Sequence, residues 1–132
     1  MHQFERDFYA LSDNYPDAFK RPLSSTAPTI IENVDGTPYL VIGGSGGSHI
    51  FPAIFQVILN LDWGYDVSQA IEFGRLNDQL YPENVAADST YPGELLADLE
   101  SRGHVISGMY LVIIRLFAFS SADLCIVLQW QT

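Results

Sequence analysis

Alternating and continuous apolar runs near the start of the chain predict a pair of strands. Residues 29–32 (TIIE) and 38–42 (PYLVI) are rich in β-branched and aromatic side chains. Between them the segment Asn33-Val34-Asp35-Gly36 carries the Asp-Gly chemistry of a hairpin turn. Because Leu40-Val41-Ile42 is continuous, it indicates a strand that is buried on both faces. The sequence therefore predicts a β-hairpin.

A helical spacing of apolar residues follows, with Ser48 as the expected N-cap. The stripe consists of Ile50, Ile54, Val57, Ile58 and Leu61. A second helix is predicted from Asp66, with Gln69 as its capping-box partner, to a stop near Gly74. A third is predicted from about Pro92 to Arg102, burying Leu95, Leu96 and Leu99 and ending at Gly103.

The last part of the chain is strongly apolar. Arg115 and Asp123 interrupt it, however, and a membrane span needs about 20 apolar residues with few interruptions. We therefore predict two strands connected through Ser120-Ser121 and no membrane span. The order of hairpin, two helices, loop, helix and two strands is typical of an α+β fold. A length of 132 residues favours a single domain or a part of one.

Charge and composition exclude several classes of function. Sixteen acidic against six basic residues give a formal charge of −10. Such a surface repels phosphate backbones, so we expect no nucleic-acid partner. The lone Cys125 lies in an apolar run and is interpreted as a buried structural thiol. No spacing of Cys or His indicates a metal, and we expect neither metal nor cofactor.

The glycine-rich segment from Gly43 to Ser48 lies between the predicted hairpin and the first helix. Such a connection leaves backbone N–H groups unpaired near the positive end of a helix dipole, which suits a phosphate or an oxyanion. It matches neither a P-loop nor the dinucleotide fingerprint. On composition alone, a purely structural turn is the better interpretation of this segment.

Serine hydroxyls offer two further hypotheses. Ser24-Ser25 lies between Pro22 and Pro28, where the hydroxyls could hold a carboxylate or simply form a turn. Residues 43–47 also fit the nucleophile-elbow pattern around Ser45. The only later histidine is His104, beyond a predicted surface helix, so a Ser-His-Asp hydrolase is the weaker alternative.

Taken in order, several segments resemble the small subunit of γ-glutamyltransferase, also called glutathione hydrolase. They are residues 20–25 (KRPLSS), 28–30 (PTI), 43–48 (GGSGGS), 62–67 (DWGYDV) and 74–82 (GRLNDQLYP). The resemblance covers residues 20–106 and implies a single partial domain over 1–132, with 107–132 as a divergent apolar tail. The implied fold is one incomplete share of the αββα sandwich of N-terminal-nucleophile hydrolases.

The resemblance also implies roles for individual residues. Ser24 and Ser25 would hold the α-carboxylate of a γ-glutamyl group such as that of glutathione. Gly46 and Gly47 would donate their N–H groups to the tetrahedral oxyanion. Asp7, in a partial echo of a family segment, is the candidate for gripping the substrate amine. In the family a terminal Thr upstream of the Ser pair is the nucleophile; we expect no residue of this chain to be that Thr, and the chain alone to be inactive.

Partners and location follow from the same resemblance. The implied partners are a large subunit and the remainder of the small subunit. Members of the family commonly act outside the cytosol, at the cell surface, secreted or in a vacuole. A second interpretation, from another class of function, is a non-catalytic module that binds a γ-glutamyl compound or docks a subunit. In the family the run at 74–79 usually reads Pro-Arg-x-His-His-Gln, so Gly74, Asn77 and Asp78 are departures from it.

Overall fold

The computed structural model describes residues 15–108, together with the backbone of residues 113–119 and 124–128. Within these ranges the chain forms strands and α-helices joined by short connections, with one 3₁₀ turn at Gly47–His49. In chain order the elements are β1 (Thr29–Glu32), β2 (Pro38–Ser45), α1 (Ile50–Asp62), α2 (Val67–Glu72), β3 (Leu76–Asp78), β4 (Val85–Ala87), α3 (Gly93–Ser101), β5 (Ile106–Ser107), β6 (Ile113–Phe119) and β7 (Leu124–Leu128).

The predicted hairpin is confirmed as the antiparallel pair β1–β2, with Thr29 opposite Ile42. In its turn, the Thr37 N–H (2.9 Å) and the Thr37 hydroxyl (2.6 Å) both donate to Asp35 Oδ1. The hydroxyl donation is the main cause that lowers the pKa of Asp35 below its ordinary value. Gly36 adopts a φ of +83°, which a residue with a Cβ rarely does. The turn is therefore fixed by the residues that the sequence singled out.

The hairpin is half of a larger antiparallel sheet, sheet A, with the strand order β1-β2-β6-β7. The pairing of β6 with β7 confirms the two late strands, while the connection at Ser120-Ser121 lies outside the described residues. One face of sheet A is covered by α1 and α2. The core between them consists of Leu40, Ile42, Ile50, Ala53, Ile54, Val57, Ala70 and Ile71. This helix layer on a sheet is an α+β arrangement, as predicted.

The other face of sheet A corrects one expectation. Leu40 and Ile42 are buried, but Val41 between them is only half-buried. Ile30, which pairs with Val41 and shares its face, is 65% exposed. The continuous apolar run therefore does not mean burial on both faces within the described residues, because α1 and α2 cover one side only.

All three predicted helices are present, but the cap of the first helix differs from the prediction. Ser48 is not the N-cap of α1: it lies inside the 3₁₀ turn, which places His49 at the N-cap position. The capping box of α2 is confirmed, since the Gln69 N–H donates to Asp66 Oδ1 (2.8 Å) and the Asp66 N–H to Gln69 Oε1 (3.1 Å). None of these three helices is both long and apolar enough to cross a membrane.

Helix α3 is less buried than its leucines suggest. Leu96 and Leu99 are half-buried, whereas Leu95 is 46% exposed, so the prediction that all three are buried was wrong for Leu95. Within α3, only the narrow stripe formed by Leu96 and Leu99 is partly shielded from solvent. Leu95 lies at the flank of that stripe and remains in contact with solvent.

A second sheet, sheet B, was not predicted. It has the order β3-β4-β5, with β3 and β4 antiparallel and β4 and β5 parallel. Its strands have only two or three residues each, too few to show an alternating pattern. The segment between α2 and α3, interpreted from the sequence as a loop, therefore contains two strands, of which β4 is buried and β3 is not.

Gly74 permits a close backbone approach between the end of α2 and the segment before α3. A Cβ at this position would lie 2.5 Å from Tyr91 Cα and 2.7 Å from the Thr90 carbonyl carbon. Because those atoms are backbone, they cannot turn aside as a side chain would. We expect Gly74→Ala to lower the free energy of unfolding by about 1–3 kcal/mol, measured by denaturant titration.

Gly93→Ala is the matched control for this prediction. Gly93 is the first residue of α3, and a Cβ there meets nothing within 4 Å. Alanine should leave stability unchanged or raise it by up to about 1 kcal/mol, because glycine is the poorer helix former. Equal effects of the two substitutions would contradict the steric explanation.

Candidate functional site

The loop that links β2 to α1 has a backbone that depends on glycine. Gly46 has φ 151° and ψ 27°, and Gly47 has φ 62°, both outside the range that most side chains accept. The His49 N–H donates to the Gly46 carbonyl (3.3 Å) and closes the 3₁₀ turn. Both glycines are half-buried. Consecutive glycines between a strand and a helix suit positive φ, so this geometry could be anticipated from the composition of the segment.

The position of the loop determines its electrostatics. The first N–H groups of a helix have no acceptor within that helix, and the helix dipole adds positive potential there. In this chain the 3₁₀ turn runs directly into α1, a helix of 13 residues. An oxygen atom carrying negative charge is the group that such an arrangement stabilises.

Ser24 and Ser25 differ in their surroundings. Ser24 is exposed, and its hydroxyl donates to Thr26 Oγ1 (2.8 Å) while accepting from the Thr26 N–H (3.1 Å). Ser25 is half-buried, and no described residue forms a hydrogen bond with its hydroxyl. A carboxylate ligand needs donors, so Ser25 can donate directly, whereas Ser24 must first turn its O–H away from Thr26.

The register of the hairpin brings the two candidate segments to the same end of sheet A. Thr29 pairs with Ile42 at the last step of the β1–β2 ladder. Ser25 lies four residues before Thr29, and Gly46 lies four residues after Ile42. Because the strands are antiparallel, both segments leave the ladder at the same end. Sequence reasoning found each segment, and the hairpin register places both beyond the same end of the β1–β2 ladder.

The structure does not bring the remaining candidates from the sequence together into a site within the described residues. Asp7 and its partial family motif lie outside the described residues. Ser45 is the last residue of β2 and is exposed, while His104 lies beyond α3, also exposed. His49 occupies the N-cap position of α1 and is half-buried. The described residues hold no group of three or more His, Cys, Asp or Glu that could bind a metal.

Two polar contacts that the sequence did not reveal join segments that are far apart in the chain. Gln56 on α1 donates to the Leu76 carbonyl (2.7 Å) and accepts from the Leu76 N–H (2.8 Å), so it joins the helix to β3. Arg75 and Asp88 form an ion pair (2.9 Å) with side chains 7% and 11% exposed. The partners are separated by 20 and 13 residues, so no local pattern could have paired them.

Comparisons with known proteins identify the family of this chain. The family model described as Gamma-glutamyltranspeptidase matches residues 1–114, a range that includes Asp7 and extends beyond 20–106 on both sides. Glutathione hydrolase proenzyme 1 of Schizosaccharomyces pombe is 40% identical over 88 residues, which are 66% of this chain and 14% of that protein. Scoloptoxin SSD14 of Scolopendra dehaani is 37% identical over 86 residues, which are 64% of this chain and 15% of that protein.

A solved structure extends the likeness to the fold. Gamma-glutamyltranspeptidase from Pseudomonas nitroreducens, complexed with L-DON, superimposes with a TM-score of 0.74 at 30% identity, covering 88% of this chain and 63% of that one. This likeness supports the αββα sandwich share that the resemblance implied. The chain spans 15% of the length of Scoloptoxin SSD14 and 15% of the length of glutathione hydrolase proenzyme 2 of Schizosaccharomyces pombe. With a family model matched over most of its length, the chain belongs to the gamma-glutamyltranspeptidase family.

Proposed function

We propose that this chain supplies the carboxylate-binding and oxyanion-binding segments of an enzyme that cleaves γ-glutamyl amides such as glutathione. The observation that carries the proposal is the hairpin register, which brings Ser24-Ser25 and Gly46-Gly47 to one end of sheet A. One segment offers hydroxyl donors, and the other offers backbone N–H groups at the start of a helix. Those are the groups needed at the two ends of a γ-glutamyl substrate.

In the proposed reaction each segment has one task. The hydroxyls of Ser24 and Ser25 bind the α-carboxylate and hold the γ-carbonyl in position for attack. The N–H groups of Gly46 and Gly47 donate to the oxygen that becomes negative in the tetrahedral intermediate. The nucleophile would be a terminal Thr supplied by a part of the enzyme outside residues 1–132, and Asp7 would bind the substrate amine. Attack by this Thr would form an ester with the γ-glutamyl group and release the amine, and water or an amino acid would then cleave the ester and take up the acyl group.

The proposal includes partners and a location. The large subunit and the rest of the small subunit would complete the fold, consistent with a chain that spans 15% of the length of Scoloptoxin SSD14 and of glutathione hydrolase proenzyme 2. Like family members in general, the enzyme would act outside the cytosol, at the cell surface, secreted or in a vacuole.

Removing the serine hydroxyls tests the proposed binding role. In the complete enzyme, we expect Ser24→Ala and Ser25→Ala each to weaken binding of the γ-glutamyl group by about 1.5–3 kcal/mol, since each removes a hydrogen bond to a charged carboxylate. The measurement is KM for a γ-glutamyl anilide and its change when the substrate's α-carboxylate is replaced by an amide. On the amide substrate, which has no α-carboxylate, the KM of each variant should equal that of the parent enzyme.

Ser68→Ala is the matched control for this test. Ser68 is an exposed serine of α2 whose hydroxyl donates a hydrogen bond to Glu72 Oε1 (3.1 Å). Removing this hydroxyl should leave KM unchanged. If the complete enzyme binds γ-glutamyl compounds but never cleaves them, the non-catalytic module becomes the correct interpretation. If the two serine variants match Ser68→Ala, the binding role is wrong.

A further inference from the structure

Gln56 joins α1 to the edge of sheet B. Among the described strands of that sheet, β3 lies at one end of the order β3-β4-β5 and forms an edge. There the Leu76 N–H donates to Gln56 Oε1 (2.8 Å), and Gln56 Nε2 donates to the Leu76 carbonyl (2.7 Å). Nearer the start of the helix, Ala53 and Asn77 line a small cavity between α1, β3 and β4. The amide of Gln56 therefore takes the place that a peptide group of a further strand would have.

The segment that Gln56 contacts is itself fixed on its other side. The Asp88 N–H donates to the Arg75 carbonyl (2.8 Å), and the Arg75 N–H donates to Asp88 Oδ2 (3.1 Å). Leu76 is thus bonded to α1, while the residue before it is bonded to the residue that follows β4. Because β3 is held in this way, it cannot simply follow α1 if the helix moves.

The contact restrains α1 in a way that its apolar core does not. Ile50, Ile54 and Val57 pack the helix onto sheet A, and burial of apolar surface has no directional preference. Hydrogen bonds depend on both distance and angle. Gln56 Nε2 also donates to the Pro52 carbonyl (2.9 Å), one turn nearer the helix start. Three hydrogen bonds of one side chain therefore oppose rotation and sliding of α1 against sheet B.

We propose that Gln56 is a positioning residue for the oxyanion-binding loop, an inference that rests on the proposed function. The 3₁₀ turn that begins at Gly47 runs directly into α1, so a displaced helix displaces the N–H groups of Gly46 and Gly47. Gln56 lies seven residues beyond His49, about 10 Å along the helix, and acts through the helix rather than on the substrate. A misplacement of about 1 Å, even from a distant residue, can lower a rate about 10²-fold.

Gln56→Met in the complete enzyme tests this role. Methionine has a similar length and helix propensity, but it lacks the amide that makes these hydrogen bonds. We expect kcat for a γ-glutamyl anilide, measured per folded enzyme, to fall about 10- to 100-fold, with KM within about twofold of the parent value. Gln56→Glu, which keeps an acceptor for the Leu76 N–H and loses the donors, is the second variant if methionine prevents folding. A parent-like kcat in the folded variant would overturn the inference.

Gln69→Met is the matched control for a merely structural loss. Gln69 Oε1 accepts from the Asp66 N–H (3.1 Å) in the capping box of α2. Its substitution removes a side-chain hydrogen bond of a helix that does not carry the loop, so kcat per folded enzyme should stay at the parent value. A fall in kcat as large as that of Gln56→Met would contradict the positioning role.

Combining Gln56→Met with Gly46→Ala separates this inference from the proposed function. If Gln56 acts through the loop, the second change should lower kcat by less than about threefold once Gly46→Ala has displaced the loop. Losses that multiply in full would show that Gln56 acts independently and would overturn the inference. If Gly46→Ala alone leaves kcat unchanged, the proposed oxyanion function is wrong. If Gly46→Ala lowers kcat and the Gln56 variants do not, only the positioning role is wrong.

Discussion

Replacing Gly46 with alanine in the complete enzyme is expected to lower kcat for a γ-glutamyl anilide by about 10²–10³-fold, with KM little changed. Gly46 has φ 151° and ψ 27°, a backbone conformation that alanine does not adopt without strain. The loop must therefore shift and displace the N–H group proposed to bind the oxyanion. Loss of one such donor costs a factor of this size, since the contact is strongest in the transition state.

Gly43→Ala is the matched control in the same glycine-rich segment. Gly43 lies within β2, and a Cβ there meets no atom of the described residues within 4 Å. Its substitution should leave kcat within a few-fold of the parent enzyme. Equal losses in the two variants, or a Gly46→Ala effect confined to KM, would contradict an oxyanion role for the loop.

Arg75→Ala is expected to destabilise the protein by about 3–5 kcal/mol, the largest stability effect that the structure indicates. The Arg75 side chain is 7% exposed and that of Asp88 11% exposed. Asp88 Oδ2 accepts from Arg75 Nε (2.9 Å) and from the Arg75 backbone N–H (3.1 Å). Removing the guanidinium leaves a buried carboxylate without its countercharge, which costs much more than the intact pair contributes. Denaturant unfolding followed by circular dichroism measures the change.

The pair Arg102–Asp98 provides the control, because it has the same chemistry in solvent. Its Nε–Oδ2 distance is also 2.9 Å, but the side chains are 68% and 56% exposed. Arg102→Ala should cost no more than about 0.5 kcal/mol, as for other exposed pairs four residues apart on a helix. A loss at Arg75 as small as that at Arg102 would show that burial of the first pair has no energetic consequence.

Local signals in the sequence were sufficient where a motif is short and self-contained. The Asp-Gly turn, the capping box at Asp66 and Gln69, and the apolar stripe of α1 all formed as predicted. Each depends on residues within a few positions of one another. The Ser48 cap failed because the two glycines before it allow a 3₁₀ turn that shifts the helix start to Ile50.

The candidate site was predictable in parts and not as a whole. Ser24-Ser25 and the glycine loop could be singled out by composition, and the resemblance assigned them roles. Their placement at one end of sheet A follows from the pairing of Thr29 with Ile42, two residues on opposite strands of the hairpin. Asn77 was noted only as a departure from the family pattern, and its place in a cavity depends on α1, β3 and β4 together.

By itself, the sequence determined the α+β class, the hairpin, the three helices and the family, because turn chemistry, caps and apolar periodicity act over short distances. Only the tertiary structure decided sheet B, the contact of Gln56 with Leu76, and the pairing of Arg75 with Asp88. These features join segments far apart in the chain, and strands of two or three residues carry no periodic signal. Their stability comes from burial and long-range hydrogen bonds, which exist only once the chain has folded.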